Sequence, residues 1–232
     1  MKEDRVLAYA AGKSYFKLKQ ILSVIGIVVS ITLVIVLFMY FSVSIAVKNW
    51  SFPIRVNTDR DAGGLISISD SRDFDNATTR LRADAPDALN CISVFDLPEI
   101  IDGDEFVGSH NGDGYIAYTF YLKNVGEDEC TLSGKIKYSD VRLNADDAVR
   151  ARIYRNGEAV TCAKLGHDGQ PELGTTPFET EDTVYSEENV LEKDEIVRYT
   201  IVLWLEGDDP ECVDAIKGGF VRLFMEFEAG KN

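Results

Sequence analysis

The sequence predicts an all-β domain, an antiparallel β-sandwich of the jelly-roll kind, preceded by one transmembrane α-helix. Three observations lead to this fold class. One run of 27 residues, 21–47, contains no charged side chain. After it come seven or eight short segments in which apolar and polar residues alternate, and no long amphipathic helix accompanies them. Alternation is typical of strands with one buried face, and two antiparallel sheets packed face to face bury all of those faces.

The uncharged run is long enough to cross a bilayer as a helix. At about 1.5 Å per residue it would measure about 40 Å, against about 30 Å for the hydrocarbon core. Residues 1–20 carry a net charge of +3, and the rest of the chain carries −18. Because basic flanks stay inside, we expect a cytoplasmic tail at 1–20, a single-pass helix at 21–47 in the cell membrane, and an extracellular C-terminal domain. The lipid bilayer is therefore an expected partner.

A cleaved signal peptide is the alternative interpretation of the same run. The apolar region of a signal peptide spans about 7–15 residues, which is shorter than this run. Ser44 and Ala46 nevertheless have the spacing of a cleavage site. Both interpretations export the large domain. We favour a permanent anchor, a juxtamembrane stalk at 48–62 and an exported β-sandwich domain at 63–232.

The strands of the exported domain are predicted from alternation and turn residues. Asn156-Gly157 supplies the two positive φ angles of a tight hairpin turn, and the chain returns through 159–160. The acidic segment 163–190 is predicted as an ordered surface loop or a disordered insertion, and 207–219 as a short helix capped by Asp209. The remaining predicted strands, in chain order, lie at 64–69, 91–95, 115–124, 132–138, 149–154, 197–205 and 221–227.

Composition excludes some classes of function. The chain is 45% hydrophobic, which is enough for a core and argues against general disorder. The exported part is so acidic that it repels phosphate backbones, so no nucleic-acid partner is expected.

The four cysteines all lie in the exported part, and none forms a C-x-x-C pair. An even number in an oxidising compartment favours two disulfides, with free thiols as the alternative. Three pairings are open, and we favour Cys91–Cys130 with Cys162–Cys212. The disulfide candidates are thus Cys91, Cys130, Cys162 and Cys212.

No residue pattern for catalysis stands out. His110 and His167 lie in loops rich in glycine and aspartate, and the chain contains no H-E-x-x-H, G-x-S-x-G or P-loop motif. No acid pair is singled out for glycoside hydrolysis. We therefore predict a non-enzymatic domain with no catalytic and no cofactor-binding residue.

Acidic loops are candidates for calcium, which takes six to eight oxygen ligands. The segment from Asn57 to Asp61 begins like a calcium loop, but Ile68 stands where the closing glutamate would be needed. We prefer solvated loops, assign no metal ligand, and keep calcium as the alternative. The two acidic groups are Asp102, Asp104 and Glu105, and Glu206, Asp208, Asp209 and Glu211.

Two passages, 118–138 (YTFYLKNVGEDECTLSGKIKY) and 190–229, resemble the strand–turn–strand and the closing strands of TasA/camelysin-like bacterial surface proteins. The resemblance implies a jelly-roll-like sandwich, export, and often assembly into extracellular matrix fibres. Two features depart from the family: the apolar run has the length of a lasting anchor, and four cysteines are present. The protease activity for which camelysin was named finds no catalytic residues here.

The leading hypothesis is a membrane-anchored cell-surface protein with a structural or interaction role, whose partners are other surface proteins or itself. The first alternative is a matrix or pilus-like fibre subunit released by signal peptidase, in which 47–62 adds as a strand to the next molecule. Pro53 is the local objection to that alternative, since it lacks an N–H. A membrane-tethered hydrolase or an accessory subunit of an envelope complex comes third.

Overall fold

A computed structural model describes residues 24–39, 51–56, 64–84, 86 and 89–231. The chain divides into two compact units, Met1–Asn49 and Trp50–Asn232. The Asn57–Asp61 segment considered for calcium lies outside the described residues.

The first unit contains a helix at 24–39, inside the uncharged run, and its side chains are all exposed. Ser30 and Thr32 each donate a hydrogen bond to the carbonyl four residues earlier. Among the described residues, no helix is both long enough and apolar enough to cross a bilayer. The rest of the predicted membrane segment, 21–23 and 40–47, is not among them.

The second unit is all-β, which confirms the predicted class. Its first sheet has the strand order β11-β7-β13-β1-β3, and its second has the order β10-β9-β8-β12-β6-β2, with β4 beside β12 and β5 beside β6. The described strands are β1 (Ser51–Val56), β2 (Ile66–Ser69), β3 (Arg80–Asp84), β4 (Cys91–Ile92), β5 (Gly108–Ser109), β6 (Tyr115–Asn124), β7 (Cys130–Arg142), β8 (Val149–Arg155), β9 (Glu158–Ala163), β10 (Thr176–Pro177), β11 (Thr183–Leu191), β12 (Ile196–Glu206) and β13 (Phe220–Lys231).

Both sheets are mixed, so the prediction of purely antiparallel sheets is wrong at three pairs. β1 lies parallel to β13, β4 parallel to β12, and β10 parallel to β9. The two strands of each parallel pair are joined by a long connection and not by a hairpin. Alternation and turn residues predict hairpins, so they do not predict these pairs.

The two sheets contribute to one continuous core. Phe120 of β6 stacks on Tyr199 of β12 at 5.3 Å between ring centroids, and Phe227 of β13 packs against both rings. Ile54 of β1 and Met225 of β13, partners in register, are fully buried in the same cluster. These side chains occupy alternate positions of their strands, which is why the alternation revealed the strands.

β1 lies inside the segment predicted as a stalk. It inserts between β13 and β3, and Ile54 pairs with Met225 on one side and Leu81 on the other. Phe52 and Ile54 are buried, while Pro53 and Arg55 face outward. Residues 51–56 of the predicted stalk are thus part of the domain.

Most predicted strands are present, and Asn156 and Gly157 take φ angles of 50° and 90° in the predicted hairpin. The loop predicted at 163–190 is wrong, because it contains β10 and β11. β11 does not show the apolar alternation of a strand, because its inward positions 187 and 189 are polar. Glu187 faces the core, where it accepts a hydrogen bond from the Tyr199 hydroxyl at 2.7 Å. The helix predicted at 207–219 is a series of turns with one 3₁₀ turn, Asp214–Ile216.

Residues 90–112, which we call the cap, cross the outer surface of the second sheet. They begin beside β12 at β4 and end beside β6 at β5. A small second core lies between the cap and the sheet. The cap contributes Ile101 to it, and the sheet contributes Ala117, Val202 and Trp204. Outward positions of the second sheet are therefore buried as well.

Candidate functional site

Three carboxylates meet beyond the end of β12. Glu172 comes from the acidic loop, and Asp209 and Glu211 come from the turns that follow the strand; one oxygen of each lies within 4.8 Å of the others. The Asp209 side chain is 0% exposed. Such a concentration of buried negative charge needs compensation.

Arg150 supplies that compensation. It takes an outward position on β8, yet its side chain is only 4% exposed, because the loops fold over it. One guanidinium nitrogen, Nη2, donates a short hydrogen bond to the Asp209 carboxylate and lies 3.6 Å from a Glu172 oxygen. Nη1 donates to the Val149 carbonyl at 3.3 Å. The cluster is therefore organised around a buried ion pair.

The local charges separate the pKa values of two of the acids. Burial by itself would raise the pKa of Asp209, but hydrogen bonds from Glu211 and Arg150 outweigh it and lower that pKa below its ordinary value. The hydrogen bond to Asp209 raises the pKa of Glu211. Asp209 is thus the charged acceptor, and Glu211 is the acid that holds its proton more strongly.

A second group of charges borders the cluster. Lys164 Nζ lies 2.8 Å from an Asp146 oxygen and 2.6 Å from an Asp147 oxygen. The exposed ring of His167 reaches Asp147 at 3.4 Å, and its backbone N–H donates to Glu211 at 3.0 Å. The long loop after β9 is thereby tied to the turns before β8 and after β12.

The cluster can hold loops together, and three of its oxygens have the spacing for a cation. The residues that could bind a divalent ion are Glu172, Asp209 and Glu211. They offer three carboxylates where calcium takes six to eight oxygens, and Arg150 already pairs with two of them, Asp209 and Glu172. The geometry therefore favours an ion-pair network as the role of these groups.

The two acidic groups singled out in the sequence have different surroundings. Arg198 donates to Asp102 at 2.9 Å and to Asp104 at 2.6 Å, so one arginine pairs with two of the three acids of that group; Glu105 is exposed. Asp102 also accepts a hydrogen bond from the Thr200 hydroxyl at 2.5 Å. The first group thus anchors the middle of the cap to the face of β12.

The second acidic group divides in two. Glu206 accepts hydrogen bonds from the Trp204 indole at 3.0 Å and from the Val94 backbone N–H at 3.2 Å. Asp208 accepts from the Ser93 hydroxyl at 2.6 Å. These two acids hold the start of the cap, whereas Asp209 and Glu211 join Glu172. The sequence does not predict a role for Arg150 or Glu172. Arg150 takes a strand position that is expected to face solvent, and Glu172 lies in a long loop, so neither pattern indicates a buried ion pair.

The cysteines form one disulfide, Cys91–Cys212, which fastens the start of the cap to the turns after β12. The predicted pairs Cys91–Cys130 and Cys162–Cys212 are wrong, because Cys130 and Cys162 are buried free thiols. Cys130 is in register with Leu191 of β11, while Cys162 lies near Tyr185 of the same strand, about 20 Å away at about 3.3 Å per residue. Burial and the nearby Glu179 raise the pKa of Cys162 to about 11, so this thiol stays protonated.

The two histidines have different environments. His110 stacks on Phe106 with ring centroids 4.5 Å apart, and its ring nitrogens lie within hydrogen-bond distance of the Gly108 and Ile101 carbonyls. This ring is part of the cap's internal packing. His167 is exposed at the rim of the carboxylate cluster.

A shallow depression of about 210 Å³ lies on the outer surface of β6 and β12, beside the cap. Arg198 already pairs with two aspartates there, so it has little capacity left for a ligand. The lining residues include no nucleophile paired with a base; they are Arg72, Asp104, Tyr121, Asn156, Ile196 and Arg198.

Comparisons with known proteins give no family. No protein-family model matches the chain, and no curated protein matches it. A selenomethionine-labelled β-glucosidase from Kluyveromyces marxianus is 17% identical over 48% of this chain and 12% of its own, with a TM-score of 0.22. The glucose complex of a β-glucosidase from the same organism is 10% identical over 77% of this chain and 18% of its own, with a TM-score of 0.25. The chain thus spans less than a fifth of these enzymes, and similarity this low carries no argument about fold or activity.

Proposed function

We propose that the protein is a single-pass, membrane-anchored cell-surface protein whose domain, a jelly-roll-like sandwich, has a structural or interaction role rather than a catalytic one. The observation that carries the proposal is the uncharged run at 21–47 with a basic flank before it and an acidic domain after it. The N-terminus is cytoplasmic and the domain from Trp50 onward is extracellular. The resemblance to TasA/camelysin-like proteins is consistent with export.

The way charged groups are used in the domain supports a non-catalytic role. Arg150 is committed to Asp209 and Glu172, and Arg198 to Asp102 and Asp104. These side chains hold loops and the cap in place, which supports a structural role for them.

The test is the location and integrity of the N-terminus in cells. Mass spectrometry of the carbonate-washed membrane fraction should recover one chain that includes residues 1–20. Protease added to intact cells should remove epitopes beyond 50 and leave residues 1–20 protected. Recovery of the chain in the carbonate wash would overturn the anchor, and protection of the domain would overturn the orientation.

A fibre subunit is the second candidate, and β1 is the observation that favours it. β1 is a short strand with buried Phe52 and Ile54, and β3 joins the first sheet only beside it. A strand with this position could leave its own sheet and fill the same place in another copy, which would grow an open chain of molecules.

Locking β1 in its own sheet tests this candidate. The register pairs Arg55 with Arg80, so R55C/R80C should form a disulfide that prevents exchange. R152C/T161C, a pair in the β8–β9 hairpin, is the matched control. Polymer that forms in the control, is absent in the locked variant and returns when reductant opens the lock supports fibres, because the loss of the two arginines persists after reduction. If reductant does not restore polymer and the N-terminus is intact, the result supports the anchored protein.

A further inference from the structure

The cap presents an apolar side chain to solvent on a rigid support. Phe95 is 89% exposed, at the centre of a 3₁₀ turn, Val94–Asp96. Ser93 caps this turn through the Phe95 N–H, and the Asp96 carboxylate accepts a hydrogen bond from the Ser93 N–H. The neighbouring Cys91–Cys212 disulfide fixes the turn to the domain. An aromatic ring held in this way loses little conformational freedom on binding.

Further apolar and acidic side chains continue this surface. Ile100 and Val107 of the cap are more than half exposed. Glu99 and Glu105 are exposed too, and neither has an ion-pair partner among the described residues. The cap thus exposes three apolar side chains and two acidic ones that are unpaired among the described residues, and a complementary partner would combine apolar and positively charged groups.

The outer surface of the first sheet has that opposite character. One cross-strand row brings Lys135 and Arg55 to either side of Glu226 and places Arg80 beyond Arg55. The next row contains Lys137, Phe224 and the Pro53–Arg82 pair. Arg55 lies 4.6 Å above the Phe224 ring. We call this surface the basic face; its cations are Arg55, Arg80, Arg82, Lys135 and Lys137.

The basic face is unusual in a chain of net charge −15. Five cations surround one acid, Glu226, and three of them, Arg80, Arg82 and Lys135, have no ion pair within the part of the chain that the structure describes. Glu188, Glu228 and Asp84 lie in the flanking rows and confine the positive region to the middle of the sheet. No single stretch of sequence contains this face, since four separate strands build it.

We propose that the cap of one copy of this chain docks on the basic face of a second copy. Phe95 and its apolar neighbours pack on Phe224 and Pro53, while Glu99 and Glu105 face Arg80 and Arg82. The two surfaces lie on different sheets, so a docked pair keeps one free cap and one free basic face. Association is therefore head-to-tail, and further copies can add at both ends. This inference rests on the proposed interaction role and gives it a partner.

Charge reversal on each surface tests the contact. The full chain is purified in detergent, and its self-association is followed by sedimentation against protein and salt concentration. E99K/E105K and R80E/R82E should each weaken self-association by about tenfold or more, because like charges then meet. An equimolar mixture of the two variants should restore it, since the reversed cap of one variant matches the reversed basic face of the other, and the two unaltered surfaces match each other. F95S should weaken association without loss of folding.

R72E and E158K are the matched controls, since each reverses one exposed charge outside the two surfaces. They should associate as the unaltered chain does, and salt should weaken association in all of them. A chain that stays monomeric at every concentration overturns the proposal, and so does a mixture that fails to restore association. Solubility of the chain without detergent would instead contradict the membrane anchor, so the two failures are distinguishable.

Discussion

The outer surfaces of the two sheets differ in their exposure to solvent. On β12 the outward residues Thr200, Val202 and Trp204 are buried beneath the cap. On β13 the outward residues Phe224 and Glu226 remain partly open to solvent, with no segment of the described chain laid across them. The same alternation of residues therefore leads to a covered face in one sheet and an open face in the other.

This difference in exposure determines how much a charged side chain contributes to stability. Arg150, beneath the loops, is 4% exposed and must be paired, whereas Arg55, on the open face, is 48% exposed and is hydrated as well as paired. Ion pairs in water contribute little, while breaking a buried pair leaves a charge without solvent. Charges of the covered side should thus dominate stability, and charges of the open side should dominate association.

The largest effect is expected for Arg150→Met. It removes the guanidinium and leaves the buried Asp209 carboxylate unpaired, which should cost about 3–5 kcal/mol in the free energy of unfolding. Urea denaturation followed by tryptophan fluorescence measures the change, because Trp204 lies beneath the adjoining cap.

Arg55→Met is the matched control on the open face. The Arg55 side chain is 48% exposed, and Glu226 keeps its second partner Lys137, so the loss of Arg55 should cost about 1 kcal/mol or less. Equal losses in the two variants would remove the distinction between the covered and the open side.

The second effect concerns the core beneath the open face. Ile54→Ala in β1 deletes a side chain that is 0% exposed, and the expected cost is about 3 kcal/mol through lost burial and a residual cavity. Val190→Ala on the outward side of β11 should change the free energy of unfolding by less than about 1 kcal/mol. If Ile54→Ala were as mild as Val190→Ala, β1 would not be a stable part of the domain.

The sequence was sufficient for elements whose buried positions are all apolar. Apolar residues occupy every second position through the middle of β6, β12 and β13, and Asn156-Gly157 marks its hairpin without ambiguity. The residues of β1 also alternate, and the sequence shows this. The sequence does not show that β1 pairs with a strand of the same chain. Pairing with β13 joins the two ends of the domain, and no local pattern encodes such a contact.

The candidate site was only half predictable. The acidic residues after β12 stand out in the sequence, but nothing there marks Arg150 as buried, because it lies between Val149 and Ala151 as a surface residue would. The pairing of Cys91 with Cys212 was likewise hidden, since three pairings satisfy the same four positions. The burial of Arg150 and the Cys91–Cys212 pairing both depend on loops that fold back over a sheet. The periodicity of apolar residues does not predict the path of a loop.

The third prediction concerns the tie between the cap and the domain. The disulfide joins residues 121 positions apart, and C91S/C212S should lower the free energy of unfolding by about 2–4 kcal/mol. Thermal unfolding with and without reductant measures this. Alkylation of the denatured, unreduced chain should label two thiols, Cys130 and Cys162, and neither should react in the native protein. Four labelled thiols, or none, would contradict this arrangement.

The smallest effect is the pH and salt dependence of the open face, tested with Glu226→Gln. Burial by itself would raise the pKa of Glu226, but hydrogen bonds from Lys137 and Arg55 outweigh it and lower the pKa below its ordinary value. A lowered pKa in the folded state stabilises the protein above the unfolded pKa of about 4.3, and this stabilisation is lost as the pH falls through the folded value.

The difference in free energy of unfolding between the unaltered chain and E226Q should therefore be present at pH 6 and shrink progressively below about pH 4.3. Because Arg55 and Lys137 are exposed to solvent, added salt should reduce the difference at pH 6. The Arg150 pair, which salt cannot reach, should keep its contribution at the same ionic strength. A response of both pairs to salt in equal measure would mean that the cap and loops do not exclude water from Asp209.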